Sequence, residues 1–96
     1  MENDTKTYTL EFEEQALKDI KALKKSEKSA YKKLEKLLEE LTEHPTTGTG
    51  RPEALKYELS GYYSRRITQK HRLIYSINEE QITVKIITVA GHYKDK

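Results

Sequence analysis

The sequence predicts an α+β domain with the element order β-α-α-β-β-β-β, a two-helix hairpin packed on an antiparallel sheet. Three observations carry that prediction. Apolar residues alternate over residues 8–12, recur at helical spacing from 13 to 41, and return to strand-like runs from 55 onward. Both prolines and two of the four glycines fall within residues 45–52, where the helical spacing stops. Ninety-six residues with 34% hydrophobic and 35% charged side chains hold one thin core and no second. The chain therefore reads as a single domain, 1–96, with residues 1–7 as a flexible lead-in and 94–96 as a short tail.

Taken in order, Tyr8, Leu10 and Phe12 alternate with Thr9 and Glu11, the pattern of a strand with one buried face. From Glu13 the period changes: Leu17, Ile20 and Leu23 mark a helix whose first turn carries Glu13 and Glu14. Ser26 is the expected break and N-cap of a second helix. Its core stripe is Tyr31, Leu34, Leu37, Leu38 and Leu41, with Lys and Glu on the other side. Pro45, Gly48, Gly50 and Pro52 then end the helix in a loop. Leu55, Tyr57 and Leu59 alternate with Lys56 and Glu58 as a second strand, and Ser60–Gly61 turns into a third at 62–67. The run 73–77 suits a central strand, Asn78–Glu79–Glu80 a turn, and 82–90 the last strand. The result is an antiparallel meander with the helices on one face.

Several function classes drop out at this stage. There is no cysteine, hence no disulfide framework and no thiolate zinc site. No apolar run approaches the roughly 20 residues that span a bilayer, and the charged N-terminus lacks a signal-peptide core; the expected compartment is the cytoplasm. The periodic apolar runs argue against disorder, and the thin core predicts a stability that a partner would supplement.

Net charge is only +2, but it is unevenly placed. Residues 1–43 hold nine lysines, no arginine and eleven acids, net −2; residues 44–96 hold five lysines, four arginines and five acids, net +4. All four arginines, Arg51, Arg65, Arg66 and Arg72, lie within 22 residues. Arginine offers a planar fork suited to phosphate, whereas helix-surface lysine mostly solubilises. A phosphate-bearing partner is the expectation.

Strand alternation distributes these groups between two faces. With Leu55, Tyr57 and Leu59 toward the helices, Lys56 and Glu58 point away; with Leu73, Tyr75 and Ile77 inward, Arg72 points away. A sheet face of cations with tyrosines nearby suits RNA, cations meeting phosphates and rings stacking on bases. Register stays open. A two-residue turn at Ser60–Gly61 sets Lys56 opposite Arg65 and turns Arg66 to the Leu55 face; a bulged three-residue turn sets Lys56 opposite Arg66.

Metal-free RNA cleavage needs a base for the 2′-hydroxyl, an acid for the leaving 5′-oxygen, and cations for the phosphorane. Three histidines are candidates for the acid. His44, before Pro45 at a helix end, suits a C-terminal cap. His71, before Arg72, suits a structural role or a substrate contact. His92, beside Tyr93, stands on spacing alone between a functional role and a solvated tail. Glu53, in the Gly/Pro loop just before Lys56, suits either the base or an ion-pair partner of Arg51 or Arg66. Gly48–Thr49–Gly50 lacks the remainder of a phosphate-binding loop and reads as a turn. No tight His/carboxylate cluster stands at ligand spacing, so no metal and no cofactor is expected.

The run from His44 to Tyr75 resembles the signature of YoeB/Txe toxins in the RelE superfamily. The elements are Gly48-x-Gly50, Pro52–Glu53–Ala54–Leu55–Lys56, Leu59–Ser60–Gly61, Ser64–Arg65–Arg66–Ile67 and His71–Arg72–Leu73–Ile74–Tyr75, closing on His92–Tyr93. The resemblance implies a RelE-like, microbial-RNase-like fold and a type II toxin that cuts mRNA in the ribosomal A site and arrests translation. It implies Glu53 as general base, His92 as general acid, Arg72 stabilising the transition-state phosphate and Tyr93 orienting substrate. Lys56, Arg65, Arg66, Tyr63 and Arg51 would hold RNA, and the pairing of Arg66 with Lys56 favours the bulged register. Implied partners are a YefM-like antitoxin, the ribosome with its mRNA, operator DNA through the antitoxin complex, and a second copy in a homodimer. Two departures stand out: Tyr63 replaces the family's Trp, and Lys94–Asp95–Lys96 follow the His–Tyr pair that normally ends the chain. The competing reading is an antitoxin-binding, operator co-repressing module with weak or no nuclease activity. A purely structural domain gives no reason for gathering every arginine in one segment.

Overall fold

The structure is a computed structural model that describes residues 7–50 and 52–90. Its elements are β1 (Thr9–Phe12), α1 (Glu14–Ser26), α2 (Lys28–Leu41), β2 (Glu53–Ala54), β3 (Tyr62–Arg66), β4 (Arg72–Asn78) and β5 (Thr83–Ala90). The expected element order is present, and the five strands lie in the order β1-β5-β4-β3-β2. β2 through β5 form the antiparallel meander. β1 runs parallel to β5, Thr9 opposite Thr83 and Phe12 opposite Ile86, so the sheet is mixed. The connection between these parallel neighbours is long, running through the helical hairpin and then β2, β3 and β4. Residues 1–6 of the expected lead-in at 1–7 and the expected tail at 94–96 fall outside the described residues.

Helical spacing explains the core. α2 buries Ala30, Leu34, Leu37 and Leu41 along one line. Leu34, Leu37 and Leu41 have no exposed surface, and each such side chain contributes roughly 1.5–3 kcal/mol by burial. α1 buries Ala16 and Leu23, with Ile20 packed beside them. Leu17, expected on that face, is instead 54% exposed, because it stands one residue off the buried line. The helices part at Glu27, one residue later than expected, and Ser26 ends α1 with its hydroxyl donating to the Ala22 carbonyl (3.0 Å).

A bulge bends β5. Ile74 pairs with Thr88 and Tyr75 with Ile86, leaving Ile87 as the extra residue. Asp19 of α1 accepts from the Thr88 hydroxyl (2.6 Å) and the Val89 N–H (3.1 Å), tying the end of the strand to the helix.

The predicted strand at residues 55–59 is corrected. Strand pairing is confined to Glu53–Ala54, opposite Ser64 and Tyr63. The Leu55 N–H reaches the Tyr62 carbonyl (2.9 Å), and Tyr57–Leu59 forms a 3₁₀ turn. Neither proposed register occurs. Pairing is set from the other end, where the Arg66 N–H donates to the Gly50 carbonyl (2.7 Å), and the surplus residues loop out before Tyr62.

That other end is held by Arg65, whose side chain has no exposed surface. Its Nε donates to the Tyr75 hydroxyl (3.2 Å). Nη1 donates to Glu40 Oε1 (2.8 Å) and the Thr49 carbonyl (3.2 Å), and Nη2 to the Thr47 (2.6 Å) and His44 carbonyls. These five bonds match the five N–H donors of a guanidinium. Tyr75 hydroxyl in turn donates to the Pro45 carbonyl (2.7 Å); burial raises the pKa of this phenol, keeping the donor protonated. Glu40 accepts the Thr49 N–H (2.9 Å) and hydroxyl (2.7 Å). A Cβ at Gly48 would lie 2.5 Å from Glu40 Oε1 at φ +117°, and one at Gly50 would lie 2.8 Å from the Arg66 carbonyl. The Gly-x-Gly element is a clamp for this loop, in keeping with its reading as a turn.

Arg65→Lys is expected to destabilise the fold by about 3 kcal/mol, since three ammonium donors cannot replace five and loop carbonyls lose their partners; chemical denaturation measures it. Stability will also depend on Glu40. The Thr49 hydroxyl first, then the Thr49 N–H and Arg65, hold the Glu40 carboxyl below its ordinary 4.5 against partial burial, which pushes it up. A lowered folded pKa stabilises above the unfolded value, and that contribution is lost as pH falls through the folded one. The Tm of the wild type is therefore expected to fall more steeply below about pH 4.5 than that of Glu40→Gln.

Candidate functional site

Strand alternation places Arg66 and Arg72 on the sheet face away from the helices, since their neighbours Arg65 and Leu73 face inward. The two arginines are cross-strand partners, a like-charge pairing that disfavours the bare sheet. Among the described residues no carboxylate stands at ion-pair distance from either. Two residues along the same face, roughly 7 Å away, runs the row Glu53–Ser64–Ile74. Glu53 is exposed on the edge strand, while Ser64 and Ile74 are buried. The Ser64 hydroxyl, beside Glu53, is the buried side-chain polar atom among the described residues that has no hydrogen-bond partner.

The other predicted residues divide sharply. Arg65 and Tyr63 lie on the helix-side face: Arg65 in the loop clamp, Tyr63 stacked on Tyr75 with centroids 5.8 Å apart and rings 19° from parallel. The structure does not bring them together with Arg66 and Arg72. Lys56 is exposed at the start of the loop beyond β2, away from Arg66 and not paired with it. Arg51, His92 and Tyr93 lie outside the described residues. Ala90, two residues before His92, pairs with Arg72, so β5 ends beside the arginine pair. His44 has an exposed ring, and its carbonyl serves Arg65. His71 closes a turn, its Nδ1 3.0 Å from the Thr68 hydroxyl and its Nε2 3.9 Å from Glu27.

Sequence reasoning missed Tyr62, which shares the outer face with Ser64 and Arg66. Counting back by twos from Arg66 would have found it. It also missed a groove on the helix side, where β1, α1 and α2 leave a cavity of about 1280 Å³. Leu10, Phe12, Leu17, Ile20, Tyr31 and Leu38 supply its apolar lining, with Lys32, Lys33 and Lys36 and, in equal number, Glu35, Glu39 and Glu40 also along it. Among the described residues no three metal-ligating side chains come together, and no helix is long and apolar enough to cross a membrane.

Residues 12–93 match the sequence model of the YoeB-like toxins of bacterial type II toxin–antitoxin systems. The chain belongs to this family. It is 35% identical to Toxin YoeB of Escherichia coli K12 over 71 residues, covering 74% of this chain and 84% of that one. The YoeB dimer from Staphylococcus aureus superposes with a TM-score of 0.79 at 36% identity, covering 91% of this chain and 99% of that one. A heterotetrameric YoeB–YefM complex from the same organism gives 0.77 at 37% identity, covering 90% and 98%. Within the YoeB family frame, the outer face with Glu53, Arg66 and Arg72 and the helix-side groove are two separate surfaces on opposite sides of one sheet.

Proposed function

We propose that this YoeB-family toxin is a ribosome-dependent, metal-independent endoribonuclease that cuts mRNA in the A site and so inhibits translation. The observation that carries the reading is the cross-strand Arg66–Arg72 couple one row from Glu53, with no carboxylate among the described residues at ion-pair distance from either arginine. Two adjacent cations suit a phosphate, and their mutual repulsion falls when an anion enters. Glu53 takes the 2′-hydroxyl proton, O2′ attacks phosphorus, and the P–O5′ bond breaks as His92 donates a proton to O5′. Arg72 and Arg66 hold the charge of the phosphorane, Tyr93 orients the substrate, and Lys56 and Arg51 bind RNA backbone. β5 ends at Ala90, the cross-strand partner of Arg72, which supports giving the role of acid to His92 two residues further along the sequence. Arg65 and Tyr63 serve by holding the loop and β3 from the helix side rather than by touching RNA.

The partner is a YefM-like antitoxin, as in the S. aureus complex. We assign its docking to the helix-side groove. The apolar floor and Leu17, exposed at its margin, suit an amphipathic segment that folds on binding, its apolar face on the floor and its charged groups toward the lysines and glutamates along the groove. The complex would engage operator DNA through the antitoxin, and a toxin homodimer accords with the S. aureus dimer. The setting is the bacterial cytoplasm.

In a translation extract with ribosomes, wild type is expected to cleave mRNA. Glu53→Gln and His92→Gln should each lose at least 100-fold in rate while still binding antitoxin. Full activity in both would overturn the assignment of base and acid; no cleavage by saturating wild type would leave the binding and co-repressor role alone. Separately, Leu17→Glu is expected to weaken antitoxin binding by roughly tenfold or more with little change in Tm, as calorimetry and thermal melts would measure; unchanged affinity would move the docking site elsewhere.

A further inference from the structure

Tyr57 is 89% exposed and holds a left-handed backbone, φ 59°, at the first position of the 3₁₀ turn. Glycine, asparagine and aspartate take that conformation with least strain, and a bulky aromatic does not. The loop does not need the ring to keep its shape. Leu59 N–H donates to the Lys56 carbonyl (3.1 Å), Ser60 N–H to the Tyr57 carbonyl (3.0 Å), and Leu55 N–H to that of Tyr62 (2.9 Å). Burial offers no compensation either, since most of the side chain is in water. Strain of this kind, held by surrounding hydrogen bonds, concentrates at functional positions.

Its place in the fold indicates the function. Along the outer face of β3, Arg66 is followed by Ser64, opposite Glu53, and then by Tyr62, a span of roughly 13 Å. Past Tyr62 the hairpin closes on the loop that presents Tyr57, four residues after Glu53 and next to Lys56. Moving away from the arginine couple, the outer face passes from cations to the carboxylate to Tyr62, and the loop that carries Tyr57 lies beyond it. An RNA strand whose scissile phosphate lies on Arg66 and Arg72 would carry a neighbouring base toward that end.

We propose that Tyr57 stacks on the nucleobase beside the cleaved linkage and thereby biases which sequences the toxin cuts, larger bases being favoured. The inference rests on the reading of Glu53, Arg66 and Arg72 as the cleavage site. A protein partner is the less fitting occupant. Tyr57 lies between Lys56 and Glu58, is far more exposed than the half-buried Leu55 and Leu59 of the same loop, and is not part of the apolar groove, which is lined by β1 and the helices. One exposed ring on a polar loop suits a planar base with a π-face.

The test uses ribosomes programmed with mRNAs that carry a purine, a pyrimidine or an abasic site at the nucleotide on each side of the cut in turn. Tyr57→Ala is expected to lower kcat/KM about tenfold on purine-bearing mRNA, from the usual size of base–aromatic stacking, and to leave cleavage of one of the abasic mRNAs unchanged. Tyr57→Phe and Tyr57→Trp should retain wild-type preference. Tyr57→Asn should cut as poorly as the alanine variant yet melt a few degrees higher, because asparagine relieves the backbone strain; a merely structural tyrosine would not separate the two readouts in this way. If wild type cleaves and Tyr57→Ala matches it on every mRNA, or loses equally on the abasic ones, the stacking contact is overturned while the cleavage site stands. If Tyr57→Ala instead weakens only antitoxin binding, the ring is a protein contact and the inference falls. If wild type cleaves no mRNA, the cleavage reading and the inference fall together.

Discussion

The buried guanidinium of Arg65 is the interaction on which the rest of the structure depends. A charge with no exposed surface is tolerated only when its donors are matched, and here Glu40, Tyr75 and three loop carbonyls match all five. The carbonyls come from a segment without secondary structure of its own, so the same bonds that neutralise the arginine give the loop its shape. From that loop Gly50 takes the Arg66 N–H, and three residues later Glu53 enters the sheet opposite Ser64. A core arginine on one face thus sets the position of a carboxylate on the other.

Adjacent arginines with opposite fates follow from β geometry. Arg65 and Arg66 differ by one residue, hence by one face. Arg65 meets carbonyls and a carboxylate; Arg66 meets Arg72 across the strand. The inward residue contributes structure, and the outward one has no carboxylate at ion-pair distance among the described residues. The like-charge pairing and the Ser64 hydroxyl, unpartnered among the described residues, lie on the β2–β3–β4 part of the sheet, and the left-handed Tyr57 lies in the loop that joins β2 to β3. Each costs stability locally, and the helix-side core of Leu34, Leu37, Leu41, Leu73 and Tyr75 offsets them. The division leaves the arginine couple on one side of the sheet and the apolar β1–α1–α2 groove on the other.

How much of this was legible beforehand depends on whether the relevant signal was local. The alternation at 8–12, the helical stripe through Leu34, Leu37 and Leu41, the break at Pro45–Pro52 and the inward run at 73–77 are periodicities of 2 or 3.6 residues, and they placed six of the seven elements. The alternation of Leu55, Tyr57 and Leu59 was the same kind of signal, yet it became a loop, because strand pairing here was decided by contacts far away in sequence. Arg65 shows the same limit. Clustering of arginines identified the segment, but nothing in Ser64–Arg65–Arg66 distinguishes the core residue from the exposed one until register is known.

By itself the sequence determined the element order, the leucine core of the second helix, the segment rich in arginine and the family to which those motifs point. These depend on residue type and near-neighbour spacing, which a linear chain carries in full. Only the tertiary structure decided that Arg66 pairs with Arg72 while Arg65 clamps the loop, that Glu53 lies beside Ser64, that Tyr63 packs inward while Tyr62 faces out, and that Leu17 borders a groove. A shift of one residue in strand register would exchange every one of those facing assignments, and that register is set by a hydrogen-bonded loop whose carbonyls are 16 to 21 residues distant in sequence from the arginine that holds them.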